Sequence, residues 1–429
     1  MDICVIGLGP VGLIHGTSMA EIGHSVYCVD RDAGRVEMLN KGITPFYEEG
    51  LEDMVNRNLQ EGRLSFSTDI GSAIRKSSVI FICVGSPMGS DGSADLSQVT
   101  EAVLSVSKNL NGYKVVVVKS TVPVGTSAAV KRIIQQNRTE SNDVDVVSNP
   151  EFLREGSGIY DTFNGDRIVI GSSSPVALRI LRQLYQKLNV PVITVSPESA
   201  EMIKYASNTF LAAKISFINE IANICDRVGA DIDEVAMGMG MDSRIGNRFL
   251  KAGLGFGGSC FPKDVNAIIR MAEKKGYEFR IAKQVLEVNE RQKLIPVKVM
   301  ERHLGDLAGK TISVLGLSFK PDTDDMRFAP SIDLIKALTA KGCRVKAYDP
   351  VVQEGAELVP GGTEVCADLY GAVEGCHGIV LVTEWKEFVE MDLERVARLV
   401  REPIFVDGRN CMDADRMRSL GFIYCGIGR

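Results

Sequence analysis

The first thirty residues commit the chain to one way of folding. Residues 2–6 form a short apolar run, Gly7-Leu8-Gly9-Pro10-Val11-Gly12 follows, a helix-like segment continues to Gly23, and a second apolar run at 25–29 ends on Asp30. A strand, tight turn, helix and second strand in this order make a parallel unit, and a parallel sheet has to be covered on both faces. Apolar runs at 79–84, 115–119, 144–147 and 167–170 alternate with helical stretches and extend the same sheet.

From 199 to 228 there is neither glycine nor proline, and Ile203, Phe210, Ala213, Phe217, Ile221 and Ile224 recur at helical spacing. Thirty helical residues span about 45 Å, which reads as a spine between two domains and as a surface for subunit contact. A plain core helix is the simpler alternative. After a helical region to about residue 303 the alternation reopens at 310–316, with strands near 344–349, 378–382, 403–407 and 422–425. The expected fold is α/β, two Rossmann-like doubly wound domains joined by a long central helix, divided as 1–198, 199–303 and 304–429.

A length of 429 residues exceeds what one compact core organises. The net charge of -6 argues against nucleic acid or an anionic membrane as partner, so any phosphate has to be held locally by backbone amides and a few placed cations. The ten cysteines are scattered, several within apolar runs such as the one around Cys83, which fits a reducing compartment. With no Cys-x-x-Cys and four isolated histidines, no metal site is expected. The first strand leaves no room for a signal peptide and no apolar run reaches membrane-spanning length, so the expectation is a cytoplasmic protein.

Gly7-x-Gly9-x-x-Gly12 alone is a weak signal, but it stands between a strand and a helix, where it gains meaning as a dinucleotide fingerprint. The first glycine permits the turn, the second lets backbone approach a pyrophosphate, and the third packs helix on strand. Asp30, 18 residues after Gly12, can bond both ribose hydroxyls and would repel a 2′-phosphate, so NAD is expected over NADP. Arg31 and Arg35 keep a phosphate partner open.

Gly253-Leu-Gly-Phe-Gly-Gly-Ser-Cys-Phe-Pro-Lys-Asp264 places Cys260 where a helix is about to begin. Pro262 suits a first helical turn, and the orphan amides and positive helix end would favour a thiolate. That describes a nucleophile; a buried cysteine after a flexible turn is the bland alternative.

Residues 242–251, Asp-Ser-Arg-Ile-Gly-Asn-Arg-Phe-Leu-Lys, run into this segment. Further motifs are Cys83-Val-Gly-Ser-Pro87, Lys119-Ser-Thr121-Val-Pro-Val-Gly-Thr126, Asn149-Pro-Glu151-Phe-Leu-Arg-Glu155-Gly, Ala200-Glu-Met-Ile-Lys204-Tyr-Ala-Ser-Asn208, Gly316-Leu-Ser-Phe319-Lys320 through Arg327, and Asp407-Gly-Arg409. Together they make the chain resemble, over its full length, the nucleotide-sugar 6-dehydrogenases of the UDP-glucose/GDP-mannose dehydrogenase family. The resemblance implies an N-terminal NAD domain, the central helix as dimer core, and a C-terminal domain for a UDP-sugar. It also implies two successive NAD-dependent oxidations of the C6 alcohol of UDP-glucose to UDP-glucuronate, through a thiohemiacetal and thioester on Cys260, because an aldehyde yields a hydride readily only after a nucleophile has added to it.

By the same resemblance Lys204 and Asn208, four apart and so on one helix face, stabilise oxyanions at C6. Lys204 as base is a second possibility, and a solvated surface lysine a third. Asp264 and Thr121 would hold a catalytic water, with Asp264 as positioner of Lys204 or mere helix-start stabiliser as alternatives. Glu151, expected with Glu155 in the loop after the fourth strand, would assist thioester hydrolysis. Around the cofactor the resemblance places Gly7, Gly9, Val11, Gly12, Asp30, Arg35, Val84, Pro87, Thr121, Glu155, Lys263 and Arg327. Around the substrate it places Phe152, Leu153, Lys204, Asn208, Phe249, Lys251, Phe256, Gly257, Phe319, Lys320 and Arg409, with Arg244 offered across a subunit boundary; surface charge is the alternative for the arginines.

The Gly-Gly-Ser-Cys and Pro-Lys-Asp elements are shared with GDP-mannose 6-dehydrogenases, while Phe261 and the 244–251 run favour the UDP-glucose branch; another UDP-hexose stays open. Met88 departs from the polar residue more usual after the proline. A single-step NAD hydroxyacid dehydrogenase and a nucleotide-sensing binding protein are the rival classes. The first needs no thiol, and the second has no use for Cys260, Lys204, Asp264 and Glu151 together.

Overall fold

The valine- and isoleucine-rich runs form strands buried along their length, since a side chain on either face of a parallel sheet meets a helix. A computed structural model describes residues 1–139, 143–352 and 357–429. Its first sheet contains β1 (Asp2–Ile6), β2 (Ser25–Val29), β3 (Leu64–Ser67), β4 (Val79–Ile82), β5 (Lys114–Val118), β6 (Val144–Ser148), β7 (Ile168–Gly171) and β8 (Val192–Val195). The order is β3-β2-β1-β4-β5-β6-β7-β8, parallel throughout except where β6 meets β7. On one face Val5 and Phe81 pack with Leu13 and Ile14; on the other Ile80 and Val116 pack with Val103 and Val130.

The strand order reverses between β1 and β4, where chain leaving adjacent strands diverges to opposite sides and opens a crevice at the carboxyl ends. Gly7 and Val84 stand at those ends, so close that a Cβ on Gly7 would lie 2.9 Å from Val84 backbone.

The second sheet contains β9 (Thr311–Leu315), β10 (Arg344–Tyr348), β11 (Thr363–Val365), β12 (Gly378–Leu381), β13 (Ile404–Asp407) and β14 (Ile423–Cys425), all parallel, in the order β11-β10-β9-β12-β13-β14. The chain divides into two compact units, Met1–Ser207 with Asn266–Met271, and Asn208–Val265 with Ala272–Arg429. The helix Pro197–Val228 runs in sequence from the first into the second, so the α/β architecture with two parallel sheets and a long helix is present as expected.

Three strands, β3, β8 and β11, were not foreseen. All are edge strands of three or four residues, and β8 is largely solvent-facing, so none carries the continuous apolar run that marked the others. The loop bearing Glu151 follows β6 rather than a fourth strand: the expected runs themselves place it after the fifth, and the missed β3 adds one more. The long helix starts at Pro197, two residues before the expected 199, because proline is tolerated in a first turn and Ser196 Oγ accepts the Ser199 N–H at 3.1 Å. No helix among the described residues is long and apolar enough to cross a membrane.

Within the first unit the long helix holds down a neighbour. Buried Glu201 accepts the Gly125 N–H at 2.6 Å and both the N–H and Oγ–H of Ser127 at 2.7 Å, satisfying amides at the start of the helix Thr126–Asn137. Burial pushes the Glu201 carboxyl up despite these bonds. Glu201→Ala should strand these donors and lower stability by about 1–3 kcal/mol in denaturant titrations; an unchanged midpoint would contradict this capping role.

Candidate active site

The dinucleotide end is built from the β1 turn. Gly7 adopts φ +95°, and a Cβ on Gly12 would fall 1.9 Å from Gly7 O, so both positions exclude side chains. At Gly9, the N-cap of the helix Pro10–Glu21, a Cβ would meet nothing within 4 Å. A glycine with open space above it, beside amides at a helix start, is what close approach of a diphosphate requires. Asp30 is fixed at the end of β2 by the Leu8 N–H at 2.7 Å and the Asp32 N–H at 3.0 Å. Arg35 lies 3.4 Å from Asp30 Oδ2, and Arg31 pairs with Glu101 at 3.2 Å, so carboxylates engage both arginines that could have met a 2′-phosphate. These residues fit NAD. Val11 lies in the first turn of the same helix, Val84 O accepts Ser120 Oγ–H at 2.6 Å, Pro87 O accepts the Asp95 N–H at 2.8 Å, and Thr121 O accepts Ser86 Oγ–H at 2.7 Å.

In the same unit the long helix presents Lys204 to the loop after β6. Lys204 Nζ lies 2.8 Å from Glu151 Oε1, with side chains only 4% and 7% exposed. Glu151 Oε2 accepts the Leu153 N–H at 2.6 Å. Burial pushes the Glu151 carboxyl up, but the Lys204 charge and hydrogen bond, the Leu153 N–H and the Lys119 charge prevail and hold it below its ordinary value. The Phe152 ring takes Arg167 at 3.6 Å and Lys204 at 5.5 Å from its centroid, bracing the loop. Glu155 lies in the same loop, which runs on to the helix Gly158–Asn164.

In the second unit Cys260 occupies the N-cap of the helix Phe261–Lys274, with Pro262 in its first turn, and is partly exposed. Its carbonyl accepts the Asp264 N–H at 2.9 Å, and Ser259 Oγ lies 3.6 Å from Sγ. The buried Asp264 carboxylate receives Asn208 Nδ2 at 2.7 Å and Lys263 Nζ at 2.5 Å. Lys263, expected near the cofactor, is thus engaged with its neighbour.

The glycine segment before Cys260 is held by amide side chains that the sequence reading missed. Asn289 accepts the Phe256 N–H at 2.7 Å and donates to Phe256 O at 3.0 Å, Gln292 donates to Gly253 O at 2.8 Å, and Asn219 accepts the Gly253 N–H at 2.9 Å. All three are buried; uncharged amides on apolar helix faces are the signal that could have found them. Gly258, at φ +79°, leaves no room for a Cβ, which would sit 2.8 Å from the Phe319 ring, and its N–H bonds Arg327 O at 2.8 Å. Gly257 approaches Phe328 O as closely, at 2.4 Å for a Cβ. Phe256 and Phe249 pack on Phe261 at 5.8 and 6.2 Å, and Lys320 Nζ lies 5.9 Å from the Phe319 ring centroid. Phe249 itself has φ 64°, a conformation costly for a side chain of its size.

Arg409, at the end of β13, is gripped by Glu384, Nε at 2.5 Å and Nη2 at 2.9 Å. Burial opposes both charges, yet pairing prevails, holding the Glu384 carboxyl down, with Lys251 helping, and the Arg409 guanidinium up. Arg327 and Arg244 instead fork onto neighbours in their own loops, Asp325 at 2.8 Å and Asp242 at 2.6 Å, and the Arg244 side chain is 87% exposed.

Sequence models of the UDP-glucose/GDP-mannose dehydrogenase family match residues 1–189 (NAD binding domain), 198–291 (central domain) and 313–414 (UDP binding domain). The chain is 50% identical over 428 residues to UDP-glucose 6-dehydrogenase TuaD of Bacillus subtilis, covering 100% of this chain and 93% of that protein. It is 46% identical over 442 residues to a UDP-glucose 6-dehydrogenase of Pseudomonas aeruginosa, covering 100% and 98%. Its fold superposes on a UDP-glucose dehydrogenase from Pyrobaculum islandicum with TM-score 0.93 and 39% identity, over 99% and 97% of the two chains. This chain therefore belongs to the UDP-glucose/GDP-mannose dehydrogenase family and carries that family's NAD-binding domain.

Proposed function

We propose that the protein oxidises the C6 alcohol of UDP-glucose to the carboxylate of UDP-glucuronate in two steps, with Cys260 as nucleophile. The observation that carries this reading is the partly exposed thiol at a helix N-cap, following a glycine segment pinned by three buried amides. Identity of 46–50% to proteins named UDP-glucose 6-dehydrogenase supports the choice of sugar nucleotide.

Bound NAD supplies a hydride acceptor for each oxidation. In the first step C6 gives up a hydride and its hydroxyl a proton, leaving the aldehyde; Lys204 accepts that proton as the free amine or, as the ammonium, stabilises the alkoxide, and the Glu151 carboxylate keeps its Nζ in place. Cys260 Sγ then adds to the aldehyde carbon, forming a C–S bond while the carbonyl oxygen becomes an oxyanion. The Lys204 ammonium and Asn208 amide stabilise that oxyanion, and Asn208 is aimed by its bond to Asp264. Loss of hydride from C6 regenerates the carbonyl as a thioester. Water held by Asp264 and Thr121, with Glu151 assisting, adds to the thioester, and the C–S bond breaks to release carboxylate and the thiol. Lys251, Arg409, Lys320, Phe319 and the backbone of Phe152, Leu153 and Gly257 serve the UDP-sugar in this reading. We retain the division at 198 and 303 and a cytoplasmic setting as part of it.

We also infer a homodimer through the long helix. Phe210, Phe217 and Ile224 stand at seven-residue intervals along it and are 66%, 52% and 53% exposed, an apolar stripe that a monomer would leave in water. Phe217→Glu should move the protein to a monomer in sedimentation velocity; an unaltered oligomer would remove the stripe from the interface.

Wild-type turnover should yield two NADH per UDP-glucose and UDP-glucuronate as product, whereas one NADH per sugar would favour the single-step dehydrogenase and tight binding without turnover a sensing protein. Cys260→Ser should slow the second oxidation by on the order of 10³-fold or more while UDP-glucose and NAD still bind; full conversion by that variant would refute the nucleophile. Asp30→Ala should raise the KM for NAD by about tenfold and narrow the discrimination against NADP, as loss of a ribose hydrogen bond implies. Unchanged selectivity would contradict the role given to Asp30.

A further inference from the structure

Beneath the Glu151 loop lies a buried lysine that the proposed mechanism does not use. Lys119 directly follows β5 and is only 7% exposed. Its Nζ lies 3.3 Å from Asn149 Oδ1, and the same oxygen accepts the Tyr185 hydroxyl at 2.5 Å. Asn149 Nδ2 donates to Val169 O at 2.7 Å, so both ends of this amide are tied down. Asn149 and Pro150 lead directly into Glu151, and the Asn149 side chain sets where that carboxylate begins.

We propose that Lys119 is a positioning residue for Glu151: it anchors the Asn149-Pro150-Glu151 turn and supplies the Glu151 carboxylate with a positive charge second to that of Lys204. The proposal rests on the assignment of Glu151 to the reacting centre. Its consequence is that Lys204 can give up a proton, or turn to the substrate oxygen, without leaving a buried carboxylate bare. A lone carboxylate in a dry site would take up a proton instead and could no longer accept one from water.

The surrounding groups make Lys119 suited to this. Burial pushes the neighbouring Cys83 thiol up to about 12, burial pushes Tyr185 up, and burial with Lys119 pushes His15 down, so all three are neutral near pH 7. Arg167 also acts on this cluster, its guanidinium lowered by burial and raised by Asp166 and Glu151. Burial pushes Lys119 itself down, the Glu151 charge opposes this, and Lys204 adds to it. The two lysines thus share one carboxylate as their counter-charge.

The test separates charge from scaffold. Lys119→Gln keeps a donor for Asn149 and loses the charge, Lys119→Met is a second neutral form should the first fail to fold, and Lys119→Arg keeps the charge. Carbon-13 NMR titration of the glutamate carboxyls in the ligand-free protein, with Glu151 assigned by its loss in Glu151→Gln, reads the electrostatic effect directly. The Lys119 charge lowers the Glu151 pKa, so both neutral variants should protonate Glu151 at higher pH than wild type, and Lys119→Arg should follow wild type. A titration in the neutral variants superimposing on wild type would overturn the proposal. The acid limb of kcat should move upward in parallel; if the NMR shift appears without it, Lys119 keeps its place and the catalytic role of Glu151 is what fails.

Discussion

A carboxylate removed from water has to be matched by specific donors, and this constraint fixes the geometry of both units. Glu151 is met by Lys204, Asp264 by Asn208 and Lys263, and Glu384 by Arg409. Asp407 accepts the N–H groups of Arg409, Cys411 and Met412 and the Tyr424 hydroxyl. Such pairs are weak arguments for stability, because desolvation consumes most of the Coulombic gain. Their effect is on position: each partner fixes the other, and in our reading the groups so held are those that face the reacting carbon or the nucleotide.

The glycine segment shows the same logic applied to backbone. A run with glycine at 253, 255, 257 and 258 is flexible in the unfolded chain and costs entropy to order. Asn219, Asn289 and Gln292 satisfy its buried amides and carbonyls from two helices, which converts a pliable loop into a fixed approach to Cys260. The glycines are needed because Phe319, Phe328 and Gly408 leave no room for side chains there. Close packing and the placement of Cys260 are thus one requirement.

Much of this was legible in the sequence, for reasons that also explain what was not. Continuous apolar runs gave the central strands because burial on two faces demands them, and the glycine spacing gave the first turn because only glycine tolerates its φ. Edge strands such as Leu64–Ser67 and Val192–Val195 face water on one side and lack that signature. The motif residues were found, but not their partners. Lys204 and Glu151 are 53 positions apart, and periodicity names the face a side chain lies on without naming what it meets. Lys119 and Asn149 stood inside quoted motifs yet acquired a role only when the fold brought them together.

The proposed oxidation requires a covalent bond between Cys260 and the sugar. Rapid acid quenching during turnover with UDP-glucose and NAD, followed by proteolysis and mass spectrometry of the peptide containing Cys260, tests it most directly. A UDP-sugar acyl adduct on that peptide, gone when the substrate is exhausted before quenching, is the predicted result. Uronate accumulating at the wild-type rate while Cys260 stays unmodified at every quench time would contradict it.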